Sequence, residues 1–305
     1  MPPDLSLVIV TYNSAAVIRD CLASIPVGLP PPSPRAEVIV VDNGSTDGTA
    51  EIVQAEFPAV KLLAGHGNLL FAGGNNFGFR YAAGRLMMML NPDTIVHPGA
   101  LREMVDFADA HPQAGMIAPR LLNPDGTLQH NTFRFPDLRQ AFYGFFERLT
   151  PLDSLQNGRY PPEDYERVRE VEHILGAALL FRRELYDRLP GMDEQFGIYF
   201  EETDWCYRAR KAGWTLWYTP TASLTHLGGH STGQNPEKSS AQFYRSQAYF
   251  YSKNYGATRY MLLKCVTVAG LSYWLARSLY GRLRGRIDGQ KLRRRLASYA
   301  EILKA

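Results

Sequence analysis

Three acidic patterns carry most of the chemistry that this chain could perform. Leu90-Asn91-Pro92-Asp93-Thr94 closes an apolar run, Leu86 to Leu90, with a short polar turn bearing one carboxylate. An acid delivered to the end of a buried strand suits a divalent cation and a diphosphate, because Mg2+ or Mn2+ keeps waters and takes only one or two protein carboxylates. An Asx turn explains the residue types of Asn-Pro-Asp-Thr but not the apolar strand before them. Asp42 ends a second apolar run, Val38 to Val41, and precedes Asn43-Gly44-Ser45. Its carboxylate is expected to be exposed there, accepting from a base N–H or ribose hydroxyls beside outward-pointing backbone donors. The helix expected from Thr49 needs only a cap, which Asp47 or Thr46 supplies.

The third pattern, Tyr199-Phe200-Glu201-Glu202-Thr203-Asp204-Trp205-Cys206, sets three carboxylates at a helix start, where the helix dipole favours negative charge. Capping accounts for one of them, not three. A sugar hydroxyl attacking an anomeric carbon needs a general base within hydrogen-bond reach, and a carboxyl raised by like-charged neighbours is suited to that work. Glu202 or Asp204 is the candidate base, with Glu201 orienting it. Thr225 to Thr232 is a loop rich in small polar residues, in which His226 is a candidate metal or phosphate ligand. Asn68 and Gly73-Gly74-Asn75-Asn76 read as a loop whose backbone approaches a base or ribose closely. Gly176-Ala177-Ala178 offers a small-residue floor.

These residues need a scaffold that gathers strand ends. Leu5 to Thr11 is short, β-branched and followed by helical spacing at Val17, Ile18, Leu22 and Ile25, so a strand–helix unit opens the chain. Pro26 to Pro34 makes a loop. Strands at 38–41, 60–63 and 86–90 alternate with helices at 49–57 and about 75–83, then 98–110. Such alternation predicts an α/β fold with a mostly parallel sheet flanked by helices. Ligands in such sheets bind beyond the carboxyl ends of the strands. Thr11-Tyr12-Asn13, Asp42-Asn43-Gly44 and Asn91 all fall at such ends, so three polar turns converge on one crevice.

Farther on, 115–119 reads as a strand, Asn123-Pro124-Asp125-Gly126 as a hairpin turn, 133–160 as an aperiodic aromatic lid or acceptor-side insertion, and 171–181 as one strand. Helices follow at 183–189 and 205–212, with a strand at 215–218. From Gln242 onward the pattern is helical, giving two expected regions: an α/β domain over 1–240 that carries the candidate site and a helical appendage over 241–305.

Composition narrows the class. The 305 residues are 45% apolar, enough for a large core. Cys21, Cys206 and Cys265 are too scattered for a disulfide framework or cysteine-rich zinc site, and read as buried thiols in a reducing compartment. The N-terminus shows no basic stretch leading into an apolar signal core, and the longest apolar window, 265–276, is short for a membrane span. A cytoplasmic protein is expected, peripheral on the inner face of the membrane. Residues 271–305 hold nine Lys or Arg against Asp288 and Glu301, a local +7 that leaves −4 for the rest of a +3 chain. That basic tail suggests an anionic membrane surface. A solvated helix face or a homo-oligomer contact would account for it as well. Nucleic acid is disfavoured, since no stacking module accompanies the basic residues.

Taken in order, Val8-Ile9-Val10-Thr11-Tyr12-Asn13-Ser14, Val41-Asp42-Asn43-Gly44-Ser45-Thr46-Asp47, Gly73-Gly74-Asn75-Asn76, Asn91-Pro92-Asp93, Gly176-Ala177-Ala178 and Glu201-Glu202-Thr203-Asp204 resemble the family 2 inverting glycosyltransferases, in particular their bacterial rhamnosyltransferase-like branch. The likeness runs from about residue 5 to 235. It implies a GT-A fold, a nucleoside-diphosphate sugar donor, a divalent metal and single-displacement inversion. It also implies a glycan or lipid-linked acceptor in cell-surface polysaccharide synthesis, and a deoxythymidine-diphosphate rhamnose donor by branch likeness alone. Asp93 then holds the metal, and His226 matches the family's histidine after the last core strand. Two positions depart from the pattern: the first acid of the metal motif is Asn91, and the Glu-Asp pair that carries the base is Glu201-Glu202. Residue types alone also accommodate a metal-dependent sugar-nucleotide hydrolase, a nucleotidyltransferase, or a non-catalytic sugar-nucleotide-binding module.

Overall fold

The structure is a computed structural model that describes residues 2–146, 157–228 and 236–304, excepting the side chains of 236–239. Contacts divide the chain into two units: residues 1–134, 160–197 and 201–228 form the first, and residues 135–159, 198–200 and 229–305 form the second.

The first unit is built on one sheet. Its strands are β1 (Leu5–Thr11), β2 (Ala36–Asp42), β3 (Lys61–Leu63), β4 (Leu86–Leu90), β5 (Thr94–Val96), β6 (Ala114–Leu122), β7 (Leu128–Gln129), β9 (Arg169–Glu170), β11 (Ala178–Arg182) and β12 (Thr215–His226). The main path runs β3-β2-β1-β4-β11-β6-β12-β5, with β7 beside β6 and β9 beside β12. Pairing is parallel from β3 through β4 and again between β6 and β12, whereas β11 runs against both of its neighbours. β8 (Thr132–Phe133) and β10 (His173–Ile174) pair apart from this sheet.

The central strands read as unbroken apolar runs because both of their faces are covered. Leu86 to Leu90 is buried throughout, with β1 on one side and β11 on the other. Helices α1 (Ile18–Ser24), α2 (Thr49–Glu56), α3 (Leu70–Phe79), α4 (Ala100–Ala110), α6 (Arg183–Arg188) and α7 (Glu201–Lys211) complete the unit. On one face the core joins Leu7, Ile9, Met88 and Leu90 to Ile18, Leu22, Leu101 and Met104.

Several expectations are corrected. Gly73-Gly74-Asn75-Asn76 lies inside α3 rather than in a loop, and the helix starts at Leu70 instead of about residue 75. The glycines there serve packing: a Cβ on Gly74 would stand 2.8 Å from Val10 Cγ1, and one on Gly78 would overlap Val8. The run 171–181 divides at Gly176 into β10 and β11. β12 is far longer than 215–218, because register shifts around Pro220 bend it without ending it.

In the second unit, residues 138–146 of the presumed lid form α5 (Leu138–Phe146), which packs with α8 (Pro236–Asn254), α9 (Gly256–Leu283) and α10 (Gly289–Leu303). Phe145, Leu271 and Ile302 are its buried centre, and the indole of Trp274 donates to the Phe145 carbonyl at 3.0 Å. Residues 147–156 of the presumed lid, and Gly229 to Thr232 of the histidine-containing loop, lie outside the described residues. Cys21 and Cys206 are buried, with thiols pushed up to about 12 by burial, while Cys265 is exposed, contrary to expectation. Among the described residues, no helix is long and apolar enough to cross a membrane.

Candidate active site

Sheet pairing gathers the candidate residues along one edge. β11 is antiparallel to both β4 and β6, so β1, β2, β4, β6 and β12 all end on the same side, where β11 begins. Thr11, Asp42 and His226 are the last residues of three of these strands, and Asn91 follows a fourth.

The β1 and β2 turns are sewn together by side chains. Asp42 is buried, which corrects the expected exposure of its carboxylate. Oδ1 accepts from Thr11 Oγ1 at 3.0 Å and Ser45 Oγ at 2.5 Å, and Oδ2 accepts from the Gly44 and Ser45 amides. Asn13, in the left-handed region at φ 52°, accepts from the Thr46 amide, and Asp47 accepts from the Thr49 amide that opens α2. Tyr12 is left standing out, half exposed. Asn43 donates from Nδ2 to the Leu70 carbonyl, while its buried Oδ1 meets no partner among the described residues. Asn68 accepts from the Leu70 amide at the head of α3. Gly74 packs against Asn43, and the Asn75 amide donates to the Phe71 carbonyl inside its own helix. Neither Gly74 nor Asn75 therefore offers the free loop backbone that the sequence suggested.

The Asn91-Pro92-Asp93 turn meets the end of β12. β5 starts immediately after Asp93 and pairs Thr94 with His226, which brings the two candidate ligands together. His226 is thus the last residue of a strand, not part of a free loop. Asp93 Oδ1 lies 3.3 Å from His226 Nε2, and Asp93 Oδ2 accepts from the Gly228 amide at 3.1 Å. Burial alone would raise the Asp93 carboxyl; hydrogen bonding and the charge of His226 outweigh it and hold the group below its ordinary range.

Gln129, a residue the sequence reading passed over, orients the imidazole. Its Nε2 donates to the His226 carbonyl at 3.1 Å and to Asn123 Oδ1 at 2.9 Å, so its Oε1 faces His226 Nδ1 at 2.6 Å and accepts from the Nδ1–H. In the neutral ring, Nε2 is then the basic nitrogen, 3.3 Å from both Asn91 Nδ2 and Asp93 Oδ1. Two adjacent ligands of an octahedral ion, each about 2.1 Å from it, stand about 3 Å apart, so this pair fits Mg2+ or Mn2+. Among the described residues no cluster of three or more His, Cys, Asp or Glu could hold a metal, so waters and phosphate oxygens would fill the remaining positions. No sequence signal links positions 129 and 226, which are brought together by the pairing of β6 with both β7 and β12.

The acid cluster opens α7 after two residues held at positive φ, Tyr199 at 67° and Phe200 at 70°. Its three carboxylates face different surroundings. Asp204 is fully buried and binds Arg208 Nε at 2.7 Å, while Arg208 also donates to the Gly191 carbonyl. Glu201 is buried, and burial together with the Glu202 charge lifts its carboxyl well above the ordinary glutamate range. Glu202 Oε2 has no hydrogen-bond partner among the described residues, and Oε1 lies 3.9 Å from His173 Nε2, beyond hydrogen-bonding distance. His173, also missed in the sequence, bonds Thr203 Oγ1 at 3.0 Å. It stands four residues before Ala177, whose carbonyl accepts from the Asn91 amide at 2.9 Å. Four extended residues span at most about 14 Å, so Glu202 is tied to the same edge as Asn91.

This is the arrangement of a GT-A glycosyltransferase, a curled α/β sheet with acidic turns at its carboxyl edge. Comparison with known proteins agrees. Residues 6–189 match the family described as "Glycosyl transferase family 2". A Mycobacterium tuberculosis protein named N-acetylglucosaminyl-diphospho-decaprenol L-rhamnosyltransferase is 30% identical over 81% of this chain and 83% of its own length. The low-salt glycan biosynthesis hexosyltransferase Agl10 of Haloferax volcanii is 28% identical over 69% of this chain and 63% of its own. The fold is shared with the mannosyltransferase PcManGT of Pyrobaculum calidifontis, solved with GDP-Man and Mn2+, at TM-score 0.56 and 17% identity over 99% of this chain and 86% of that one. S. aureus TarS 1–349 gives TM-score 0.55 and 16% identity over 99% and 81% of the two chains. The chain belongs to glycosyltransferase family 2 and is a glycosyltransferase.

Proposed function

We propose that this glycosyltransferase inverts the anomeric carbon of a nucleoside-diphosphate sugar, with rhamnose from deoxythymidine-diphosphate rhamnose as the leading donor and a lipid-linked glycan of the cell envelope as acceptor. The rhamnosyltransferase name of the Mycobacterium tuberculosis relative supports the sugar and the lipid-diphosphate acceptor. The observation that carries the reading is Glu202: a largely buried carboxylate whose Oε2 meets no hydrogen-bond partner among the described residues, at the edge where Asp93 and His226 pair.

In this reading Tyr12 covers the base, and Asn43 Oδ1 takes a donor from it. The Asp42–Thr11–Ser45 network holds the turn that receives the ribose. Asp93 and His226 would hold a divalent ion, with Gln129 fixing the imidazole through Nδ1; the ion would supply charge neutralisation for the departing diphosphate. The Mn2+ and GDP-Man bound by PcManGT support that assignment. Glu202 Oε2 takes the proton of the acceptor hydroxyl as its oxygen attacks the anomeric carbon from the face opposite the leaving group. Glu201, held neutral by burial, keeps a second negative charge away from the base. Asp204 braces α7 through Arg208.

The test is a thermal-shift panel of nucleotide sugars, followed by transfer to a polyprenyl-diphosphate glycan with product stereochemistry read by NMR. A bound donor raises the melting temperature by mass action. An inverted glycoside is expected. Sugar release to water without transfer, or retention of configuration, would overturn the proposal.

A further inference from the structure

The long helix α9 is apolar on two opposite faces, and only one of them is covered. Leu263, Thr267, Gly270, Leu271 and Ser278 are buried, and Gly270 lies so close to Phe145 of α5 that a Cβ would overlap its ring. The opposite face carries Leu262, Cys265, Val268, Leu275, Leu279 and Leu283, three or four residues apart except across Ser272, and all exposed. Val268 is 52% exposed and Leu283 86%. At about 1.5 Å per residue this stripe runs roughly 30 Å, far more than the scattered surface leucines of an ordinary soluble face. Its one intervening hydroxyl, Ser272, is turned onto the Val268 carbonyl and so adds no unmet polar group.

Charge identifies what covers it. From Gly256 to Ile287 the chain holds six basic residues, Arg259, Lys264, Arg277, Arg282, Arg284 and Arg286, and no Asp or Glu. Several of these lie over tyrosine rings of the same helix: Arg277 over Tyr273 at 5.6 Å and Arg284 over Tyr280 at 5.3 Å. An amphipathic aromatic beside a long cationic stem suits the level where acyl chains give way to headgroups. A second copy of the same face would set like charges against like, which disfavours self-association through it. No described helix is long and apolar enough to span a bilayer.

We infer that α9 lies along an anionic membrane surface, with Leu275, Leu279 and Leu283 entering the acyl boundary and Arg282, Arg284 and Arg286 meeting lipid phosphates. The inference stands on the second unit alone and does not depend on the donor or the catalytic base.

Co-sedimentation of the full chain with vesicles tests it, using phosphatidylcholine alone or mixed with phosphatidylglycerol, at low and high salt. Binding is expected only with phosphatidylglycerol and is weakened by salt. Replacing Arg282, Arg284 and Arg286 by Ser should lower the partition coefficient about fivefold per residue removed. Leu279→Glu should abolish binding while leaving circular dichroism and transfer to a water-soluble acceptor unchanged. Equal binding to both vesicle types, no binding at all, or wild-type binding by Leu279→Glu would overturn the inference. So would a wild-type dimer in light scattering that Leu279→Glu converts to monomer, since the stripe would then belong to a second copy.

Discussion

Replacing Glu202 by Gln separates the chemical step from everything else the protein does. The amide is isosteric, and the carboxylate it replaces makes no hydrogen bond through Oε2 among the described residues and only a 3.9 Å approach to His173 through Oε1. Little native structure is therefore lost. The new amide N–H is left unpaired at about 1 kcal/mol. The melting temperature should move by no more than about 4 °C. Donor-induced stabilisation should be retained, because the base meets the acceptor hydroxyl rather than the nucleotide. Transfer should fall by about 10²–10⁴, the usual contribution of a positioned base, equivalent to roughly 3–5 kcal/mol of barrier. The assay is initial-rate transfer under saturating donor, with folding followed in parallel by circular dichroism. Activity within tenfold of the unmodified chain would refute the assignment of Glu202 as base.

Other substitutions probe neighbouring parts of the argument. Asp204→Asn breaks a buried ion pair with Arg208, so chemical denaturation should report a loss of about 3–5 kcal/mol; a fully stable variant without activity would instead make Asp204 the base. Asp93→Ala should remove Mn2+ binding measured by calorimetry together with metal-dependent transfer, and full activity in the presence of a chelator would contradict its role. Gln129→Ala frees the His226 ring and should weaken Mn2+ binding by about 10–100-fold, with unchanged affinity arguing that the imidazole needs no such support. Glu201 holds a proton in the folded state that the unfolded chain gives up above its ordinary value of 4.5, so stability falls as pH rises beyond that point. Glu201→Gln should therefore flatten the decline of melting temperature between acid and neutral pH, and an unaltered slope would count against the raised carboxyl.

Short-range pattern made much of this protein legible. The apolar runs 5–11, 38–42 and 86–90, each ending in a polar turn, define strands and their carboxyl ends without tertiary knowledge, because side-chain period and turn chemistry are local properties. Asp42, Asp93 and the acids of α7 stand out for the same reason. Some segments resist such reading. Gly73 and Gly74 look like loop formers but sit in α3, where a missing Cβ lets the helix approach Val10 and Asn43; that requirement comes from a strand more than sixty residues earlier. Helix α5 of the aromatic stretch owes its place to α9, more than a hundred residues away.

The sequence by itself determined which residues could bind a cation or accept a proton, since those capacities belong to residue type. Only the tertiary structure decided how they divide the work. Asp204 is committed to Arg208, burial lifts the Glu201 carboxyl well above the ordinary glutamate range, and Glu202 keeps an oxygen without a partner among the described residues. Asp93 reaches His226, 133 positions away, because β5 and β12 pair there. Protonation and ligand geometry depend on local dielectric and on neighbours brought in from distant strands, and neither is written in any single stretch of chain.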